Sequence, residues 1–238
     1  MGSGDDNLRT QTRERLAALM KTQASAQRLK AQGASASELG HKQSVLMADA
    51  RAIIEDWPDA PRTVGEKLLE HYGPPNEATP TKLFWYRAGP WARMELSADE
   101  VVHNFPTPHT DFLTQYIDYP IDPRRATDVV TFDGSAIVDR TAGQIGSRCD
   151  HEPFNMLTLN LAVEIMEGRR TIQEARDLYG DTAAAFVMGR DAPYAEELQF
   201  DIPAGDTADP DESIIATDML EQIKQKFKDF LGEGEVPR

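Results

Sequence analysis

The sequence predicts an α+β protein in which two short antiparallel β-hairpins pack on one central, buried helix. Two stretches rich in aromatic, β-branched and apolar residues, each interrupted by a turn signal, predict the hairpins at 82–96 and 136–149. A segment that begins near Glu152 is apolar around more than half of a helical circumference, which predicts the buried helix. Amphipathic segments at both ends of the chain complete the predicted architecture.

Two helices are predicted before the first hairpin region, and together they form an N-terminal helical hairpin over residues 1–58. The first runs over 7–32, carries a narrow apolar stripe and ends at Gly33. The second runs over 37–57 with a broader apolar face, and Pro58 stops it. Because such a hairpin buries little surface by itself, it must dock on the core, pair with a second copy of the chain, or fray.

The predicted core domain spans 59–190. A capping box from Thr63 to Glu66 starts its first helix, which ends at Gly73. Gly89-Pro90 forms the turn of the first hairpin, and Gly143 belongs to the turn of the second. The segment 112–121 between them is either a strand or a short helix, since its pattern fits both.

The second half of the chain is predicted to be mainly helical. After the buried helix, a capping box from Thr171 to Glu174 opens another helix that reaches Gly189. The acidic, proline-containing stretch 191–212 has little to pack and predicts an irregular linker. Residues 213–238 contain the C-terminal amphipathic helix, which needs a partner surface.

Charge and cysteine content exclude several classes of function. The 238 residues include 25 Lys and Arg against 40 Asp and Glu, a formal net charge of −15, which disfavours nucleic acid and anionic lipid as partners. One cysteine cannot form an internal disulfide, and the N-terminus lacks the pattern of a signal peptide, so a cytoplasmic location is expected. No apolar run approaches the roughly 20 residues of a membrane span, so no membrane partner is expected.

The side chains with chemical potential are concentrated between His71 and His151. This region holds four of the five histidines, two of the three tryptophans and the only cysteine, Cys149. Within it, the nine residues HNFPTPHTD, from His103 to Asp111, combine two imidazoles, a carboxylate and two prolines. We therefore expect any functional site to include this segment.

A metal site, with zinc as the ion, is one hypothesis for this region. Two pairs of residues spaced two apart, His109 with Asp111 and Cys149 with His151, would each point to one side of an extended backbone, at Cα separations of about 6.5–7 Å. His103 joins this set only if the proline-rich loop folds back. The alternative is that these histidines simply hydrogen-bond the backbone.

Thiol catalysis by Cys149 is a second hypothesis. Cys149 precedes the buried helix, whose N-terminal dipole would lower the pKa of the thiol. His109, His103 or His151 would act as the base, and Asp111 or Asp150 would orient its imidazole. The alternative is that Cys149 is a small buried apolar residue at the end of a strand.

A binding surface without catalysis is the third hypothesis. An aromatic and cationic face on the first hairpin, continued by the loop that follows, suits a small anionic ligand or a protein partner. Its members would be Arg87, Trp91, Arg93, His103 and His109. The alternative is that the tryptophan belongs to the core and the arginines pair with surface carboxylates.

Three runs of the sequence resemble a bacterial family of uncharacterised proteins. They are YGPPNEATPTKLFWYRAGPW, HNFPTPHTDFLTQ and DRTAGQIGSRCD. This resemblance implies no activity. The order of a helix, Gly73-Pro74-Pro75 and a strand with Trp85 and Tyr86 is similar to the small lipoprotein of the outer-membrane barrel-assembly machinery. That similarity implies a module that binds protein partners and does not catalyse a reaction.

Two functions therefore follow from the sequence. The first is a soluble, cytoplasmic binding or scaffolding protein, which can form a homo-oligomer through its helical ends. The alternative is a metal- or thiol-dependent hydrolase. Its site would be built from His103, His109, Asp111, Cys149 and His151.

Overall fold

The fold is α+β, as the sequence predicts, and a computed structural model describes residues 3–215 and 217–231. The described residues within 1–37 and 211–231 form one compact unit, and 38–210 form a second. In chain order the elements are α1 (Ser3–Ala31), a 3₁₀ turn (Gly40–Lys42), α2 (Met47–Glu55), α3 (Asp59–Tyr72), β1 (Glu77–Thr79), β2 (Lys82–Ala88), β3 (Trp91–His103), β4 (His109–Asp118), α4 (Ala126–Phe132), β5 (Ala136–Asp139), β6 (Gln144–Cys149), α5 (Glu152–Met166), α6 (Ile172–Val187), α7 (Pro193–Glu196) and α8 (Thr217–Leu231).

One six-stranded antiparallel sheet, in the order β1-β2-β3-β4-β6-β5, takes the place of the two separate hairpins that the sequence predicts. Both hairpins exist, but β4 pairs with β3 on one side and with β6 on the other, so it joins them into one sheet. The segment 112–121, for which the sequence allows a strand or a short helix, therefore lies mostly in this central strand. Its position explains why seven consecutive residues, 111–117, are buried on both faces of the sheet.

The predicted buried helix is α5, and it packs against the sheet. Its leucine, valine and isoleucine side chains between Leu157 and Ile165 are at most 1% exposed. Asn155, in its first turn, is fully buried because its amide donates to the Leu113 carbonyl at 3.0 Å and to the Gln115 side chain at 2.9 Å. These hydrogen bonds tie the start of α5 to the centre of β4 and satisfy the amide nitrogen, whereas Asn155 Oδ1 has no hydrogen-bond partner among the described residues.

Helix starts show where local sequence signals hold and where they fail. The capping box of Thr171 and Glu174 is present at the start of α6, as predicted. The predicted capping box at Thr63 is wrong, because α3 already begins at Asp59 and the Thr63 hydroxyl donates to the Asp59 carbonyl at 2.7 Å inside the helix. Pro61 is tolerated in the first turn, where its missing N–H has no intrahelical partner to lose.

The second predicted helix, over 37–57, is shorter than expected and covers only α2. Backbone groups just before α2 form hydrogen bonds with a distant part of the chain. The Val45 N–H donates to the Pro75 carbonyl at 2.9 Å. The Asn76 amide donates to the carbonyls of His41 at 3.2 Å and Gln43 at 2.9 Å. These bonds to a distant segment compete with helical ones, and the helix begins only where they stop.

Part of the acidic stretch after α6 lies along α5. The Asn160 amide nitrogen donates to the carbonyls of Tyr194 and Glu197, at 2.8 and 2.9 Å, and its oxygen accepts from the Gln199 backbone at 2.7 Å. One buried side chain of α5 thus satisfies three backbone groups of this segment. The buried asparagine therefore has a structural explanation.

The first unit contains α1 and α8, which contact each other. This division groups α1 with the C-terminal helix and leaves α2 in the larger unit. Where their burial is described, the side chains of these two helices are all at least partly exposed. Among the described residues, no helix combines the length and the apolar character needed to cross a membrane.

The turn between β5 and β6 is closed by a glycine under two constraints. Gly143 has φ +65°, in the left-handed region, and its carbonyl accepts from the Thr207 hydroxyl at 2.7 Å. A Cβ on Gly143 would lie 2.2 Å from the Thr207 carbonyl carbon. The turn therefore requires glycine for its conformation and also for its contact with a distant backbone segment.

We expect Gly143→Ala to lower the free energy of unfolding by about 2–4 kcal/mol, because left-handed strain and backbone overlap add. Gly189→Ala is the matched control, since Gly189 has φ +67° but no atom within 4 Å of the added Cβ. It should cost only about 1 kcal/mol. Urea unfolding of both variants measures the difference, and equal losses would contradict this account of the turn.

Candidate functional site

The segment HNFPTPHTD forms the connection between β3 and β4 and brings its two histidines together. His103 ends β3, His109 begins β4, and the two are directly paired across the strands. Their ring centroids are 5.0 Å apart. The proline-containing loop does fold back, which is the condition under which the sequence allows His103 to join a site.

Asp111 lies beneath the two imidazoles and is 1% exposed. Its Oδ1 is 3.1 Å from His109 Nε2, and its Oδ2 is 3.5 Å from His103 Nδ1. One donor atom from each of the three residues lies within 4.8 Å of the other two. Although the 3.1 Å contact is short enough for an ion pair, its angles are not those of a hydrogen bond, so Oδ1 is buried without a hydrogen-bond partner.

Asp133 and Ser135, from the turn between α4 and β5, complete the cluster. The Ser135 hydroxyl donates to Asp111 Oδ2 at 2.6 Å and lies 3.0 Å from His103 Nδ1. Asp133 Oδ1 lies 3.6 Å from His103 Nε2, and its carboxylate accepts from the Ser135 backbone at 2.8 Å and from the Thr158 hydroxyl at 3.1 Å. Burial raises the pKa of Asp133.

Sequence reasoning missed these last two residues. Their only local signal is Asp-Gly-Ser after a helix, which is typical of any turn. The cluster thus contains residues from β3, from β4 and from the turn before β5. His103 and Ser135, which are in contact, are 32 positions apart in the sequence.

The hydrogen bond of His109 to the loop determines what its second nitrogen can do. Nδ1 lies 2.8 Å from the Thr107 carbonyl, which can only accept, so Nδ1 carries a proton. In a neutral imidazole Nε2 is then a bare lone pair, and it faces Asp111 Oδ1 at 3.1 Å. Two acceptors at this distance repel each other, and a cation close to both atoms would remove that repulsion.

Cys149 adjoins the cluster, at the end of β6. Its sulfur is 3.5 Å from His109 Nε2 and donates to Asp150 Oδ1 at 3.4 Å. Burial, together with the negative charges of Asp150 and Asp111, raises the pKa of the thiol well above its usual value. This direction is opposite to the one expected from the helix dipole, so the cluster favours a protonated thiol over a nucleophilic thiolate.

His151, the fourth predicted metal ligand, lies apart from the imidazole pair. Its Nδ1 is 3.1 Å from Asp150 Oδ1, and its side chain is 44% exposed. It lines another cavity of about 610 Å³, together with Tyr72, Glu152 and Phe186. Of the predicted metal set, the structure therefore brings together His109, Asp111 and Cys149, and it places His103 where His151 was expected.

Trp91 does not belong to an open binding surface. Its side chain is 1% exposed, and its indole N–H donates to Glu152 Oε2 at 3.0 Å. The same carboxylate accepts from Gln115 at 2.6 Å and from the Tyr72 hydroxyl at 2.9 Å. Trp91 is therefore a core residue whose indole donates to the carboxylate of Glu152 at the start of α5. The prediction that Trp91 contacts a ligand is wrong.

The two arginines of the predicted surface are also engaged within the fold. Arg87 pairs with Glu38 and Asp118. Arg93 stacks on the Tyr116 ring at 3.7 Å and donates to the Gln144 side chain at 3.1 Å. An anionic ligand would have to displace these partners. The predicted face of Arg87, Trp91 and Arg93 thus consists of contacts that hold the sheet together, and only His103 and His109 lie in the cluster.

Ser135, His103 and Asp133 lie in the order of the nucleophile, base and acid of a catalytic triad. The distances along it are 3.0 and 3.6 Å. The serine is 5% exposed, however, and its hydroxyl proton is donated to Asp111. A substrate carbonyl cannot reach a buried oxygen in this arrangement, so the geometry does not favour a serine nucleophile.

Comparisons with protein-family models, with curated proteins and with solved structures give no match for this chain. The two resemblances noted in the sequence stay predictions. An interpretation of function therefore depends on the chemistry of the cluster.

In metal-free protein, we expect Cys149 to react with iodoacetamide far more slowly than an unfolded cysteine. Its raised pKa keeps the thiol protonated near neutral pH, and the reaction rate should still rise with pH beyond about 9, where a free thiol levels off. Alkylation rates measured by mass spectrometry from pH 7 to 10 test this. A rate that is already maximal at pH 7 would show a thiolate and would contradict the account.

We expect Glu152→Ala to lower the free energy of unfolding by about 3 kcal/mol, because the buried donors of Trp91 and Gln115 lose a charged acceptor. Glu152→Gln keeps one carbonyl oxygen and should cost about half as much. Thermal and urea unfolding of the two variants measure this order. If both changes cost less than about 0.5 kcal/mol, the carboxylate is not an anchor of the core.

Proposed function

We propose that the protein binds a divalent transition-metal ion, with zinc as the first candidate, and that the ion serves a hydrolytic reaction. The ligands are His103, His109 and Asp111. One observation carries this proposal: donor atoms of two imidazoles and one carboxylate lie within 4.8 Å of one another. A second, independent observation supports it, since Asp111 Oδ1 is buried there without a hydrogen-bond partner.

Two of the separations between donor atoms are close to those of a tetrahedral zinc site. Bonds of about 2.0–2.2 Å at tetrahedral angles place neighbouring N and O ligands roughly 3.3–3.5 Å apart. His109 Nε2 is 3.1 Å from Asp111 Oδ1, and His103 Nδ1 is 3.5 Å from Asp111 Oδ2. Because these contacts involve different oxygens of the carboxylate, the side chains must rotate for all three donors to meet one ion.

Each imidazole has an outer partner that supports this role. Metal-binding histidines usually donate their second N–H to a carboxylate or a carbonyl, which fixes the tautomer and the ring orientation. His109 does so through Nδ1 and the Thr107 carbonyl at 2.8 Å. For His103, Asp133 Oδ1 lies 3.6 Å from Nε2 and is the corresponding carboxylate.

Charge balance also favours a cation at this position. Asp111 and Asp133 are both almost fully buried, and two neighbouring carboxylates in such a place are costly even though both accept hydrogen bonds. One positive charge comes from Arg148, whose Nε is 3.8 Å from Asp111 Oδ2, and a dication held by two neutral imidazoles supplies the remainder. A proton on a ligating nitrogen competes with the metal, so metal binding should release protons.

Cys149 is not included among the ligands. Its sulfur is within 3.5 Å of His109 Nε2, but its thiol already donates to Asp150. Three protein ligands then leave a fourth position open for water or a substrate, which is the arrangement of catalytic zinc sites. An ion held in this way supplies Lewis acidity for the hydrolysis of an ester or a phosphate ester. The residues of the chain hold and orient it.

This proposal develops the metal-dependent half of the hydrolase alternative. The thiol-dependent half, with Cys149 as the nucleophile, has less support because this residue is only 4% exposed. The binding or scaffolding role, a protein partner, self-association through the helical ends and a cytoplasmic location stay predictions.

Zinc should bind the parent protein with one-to-one stoichiometry and stabilise it by about 2.7 kcal/mol at a free concentration of 100 times Kd. His109→Ala and Asp111→Asn should weaken the affinity at least about 100-fold, since each removes one ligand. Cys149→Ser should change it by less than about threefold. His71→Ala is the histidine control, because His71 lines the other cavity. Titration calorimetry and elemental analysis after dialysis measure these values.

Two outcomes would contradict the proposal. One is the absence of stoichiometric zinc, cobalt or manganese from the dialysed parent protein. The other is an affinity that His109→Ala leaves unchanged, which would place the ion on surface carboxylates. The hydrolytic role has its own test: cleavage of activated esters and phosphate esters should stop in EDTA and return with zinc, and activity that EDTA does not affect would contradict it.

A further inference from the structure

Arg148 occupies a position beside the cluster that none of the functions considered so far uses. It precedes Cys149 on β6, and its Nε lies 3.8 Å from Asp111 Oδ2. This nitrogen is buried and has no hydrogen-bond partner, whereas the side chain as a whole is 38% exposed. The guanidinium group thus begins at the buried carboxylate and reaches toward solvent.

The lack of a hydrogen bond at Nε sets Arg148 apart from the arginines of the predicted binding surface. Arg87 and Arg93 each donate to side-chain oxygens. Among the described residues, no group accepts a hydrogen bond from the Arg148 Nε. A buried N–H without a partner costs free energy, and such a group is common where a ligand supplies the missing acceptor.

We propose that Arg148 binds a small oxyanion, a carboxylate or a phosphate group, that also reaches the ion held by His103, His109 and Asp111. The assignment rests on the proposed metal site. A guanidinium presents several N–H donors in a planar fork that matches two oxygens of such an anion. With Arg148 on one side and the metal ion on the other, the anion lies between two positive charges.

The charge of the protein makes this arrangement selective. At a formal net charge of −15, the chain repels free anions, and the nearby Asp111 and Asp133 add to the repulsion in metal-free protein. A dication reverses the sign of the field at the cluster. The anion should therefore bind strongly only after the metal, and by linkage it should raise the affinity for the metal by the same factor.

The experiment is a calorimetric titration of inorganic phosphate, and separately of acetate, into dialysed zinc-loaded protein. Arg148→Ala should weaken anion binding about 10-fold or more, as expected for the loss of charge-assisted hydrogen bonds. Its zinc affinity should be retained or should rise, because the variant keeps all three ligands and removes a positive charge 3.8 Å from Asp111. The tighter of the two anions identifies the class of oxyanion.

Two further variants sharpen the test. Arg148→Lys keeps the charge but lacks the fork, so its anion affinity should fall between those of the parent and Arg148→Ala; it also serves if the alanine variant does not fold. Arg124→Ala is the control, because Arg124 is 87% exposed and pairs with Asp122. It should bind phosphate and acetate as tightly as the parent.

The outcomes separate this inference from the function on which it rests. If zinc binds normally but Arg148→Ala and the parent bind both anions equally well, the assignment of Arg148 is overturned and the metal site stands. Anion binding that is as tight without zinc as with it also overturns the assignment. If the parent does not bind zinc, the proposed function fails, and the assignment fails with it.

Discussion

The buried carboxylate of Asp111 is the constraint on which the candidate site depends. A negative charge that is 1% exposed has to be balanced within a few ångströms, and the groups within that distance are two imidazoles, a hydroxyl and the Nε of Arg148. The loop carbonyl at Thr107 fixes the outer proton of His109, which leaves Nε2 facing the carboxylate. A cation close to both atoms would stabilise that contact. The proposed metal site follows from this electrostatic requirement together with the distances.

The sheet supplies the geometry that the site needs. Because β4 pairs with both β3 and β6, the end of each of these strands lies near the start of β4. His103, Asp111 and Cys149 come from three adjacent strands, and α5 covers the same region through Asn155 and Thr158. Side chains on paired strands are held more precisely than side chains on free loops, which suits a coordination site.

Much of the fold follows from local sequence patterns, but the site does so only in part. The strand pairs β2–β3 and β5–β6, the buried helix and the capping box at Thr171 depend on residues close in sequence and are present, but the strand pairs belong to one sheet and are not two separate short hairpins. The joining of the hairpins and the shortening of α2 depend on hydrogen bonds between distant segments, which periodicity does not encode. His103, and not His151, joins the cluster because the register of β3 and β4 pairs it with His109. Trp91 looked like a binding residue because its acceptor, Glu152, lies 61 positions away.

The central claim is that two imidazoles and one carboxylate hold the ion, with the thiol outside its shell. Zinc K-edge X-ray absorption of the loaded protein tests it most directly, because the outer atoms of an imidazole ring and a sulfur ligand give distinct scattering. We expect two imidazoles and oxygen at about 2.0–2.1 Å. A shell of oxygen atoms without imidazole would contradict the claim, and so would a sulfur ligand at about 2.3 Å, since it would place Cys149 in the open position.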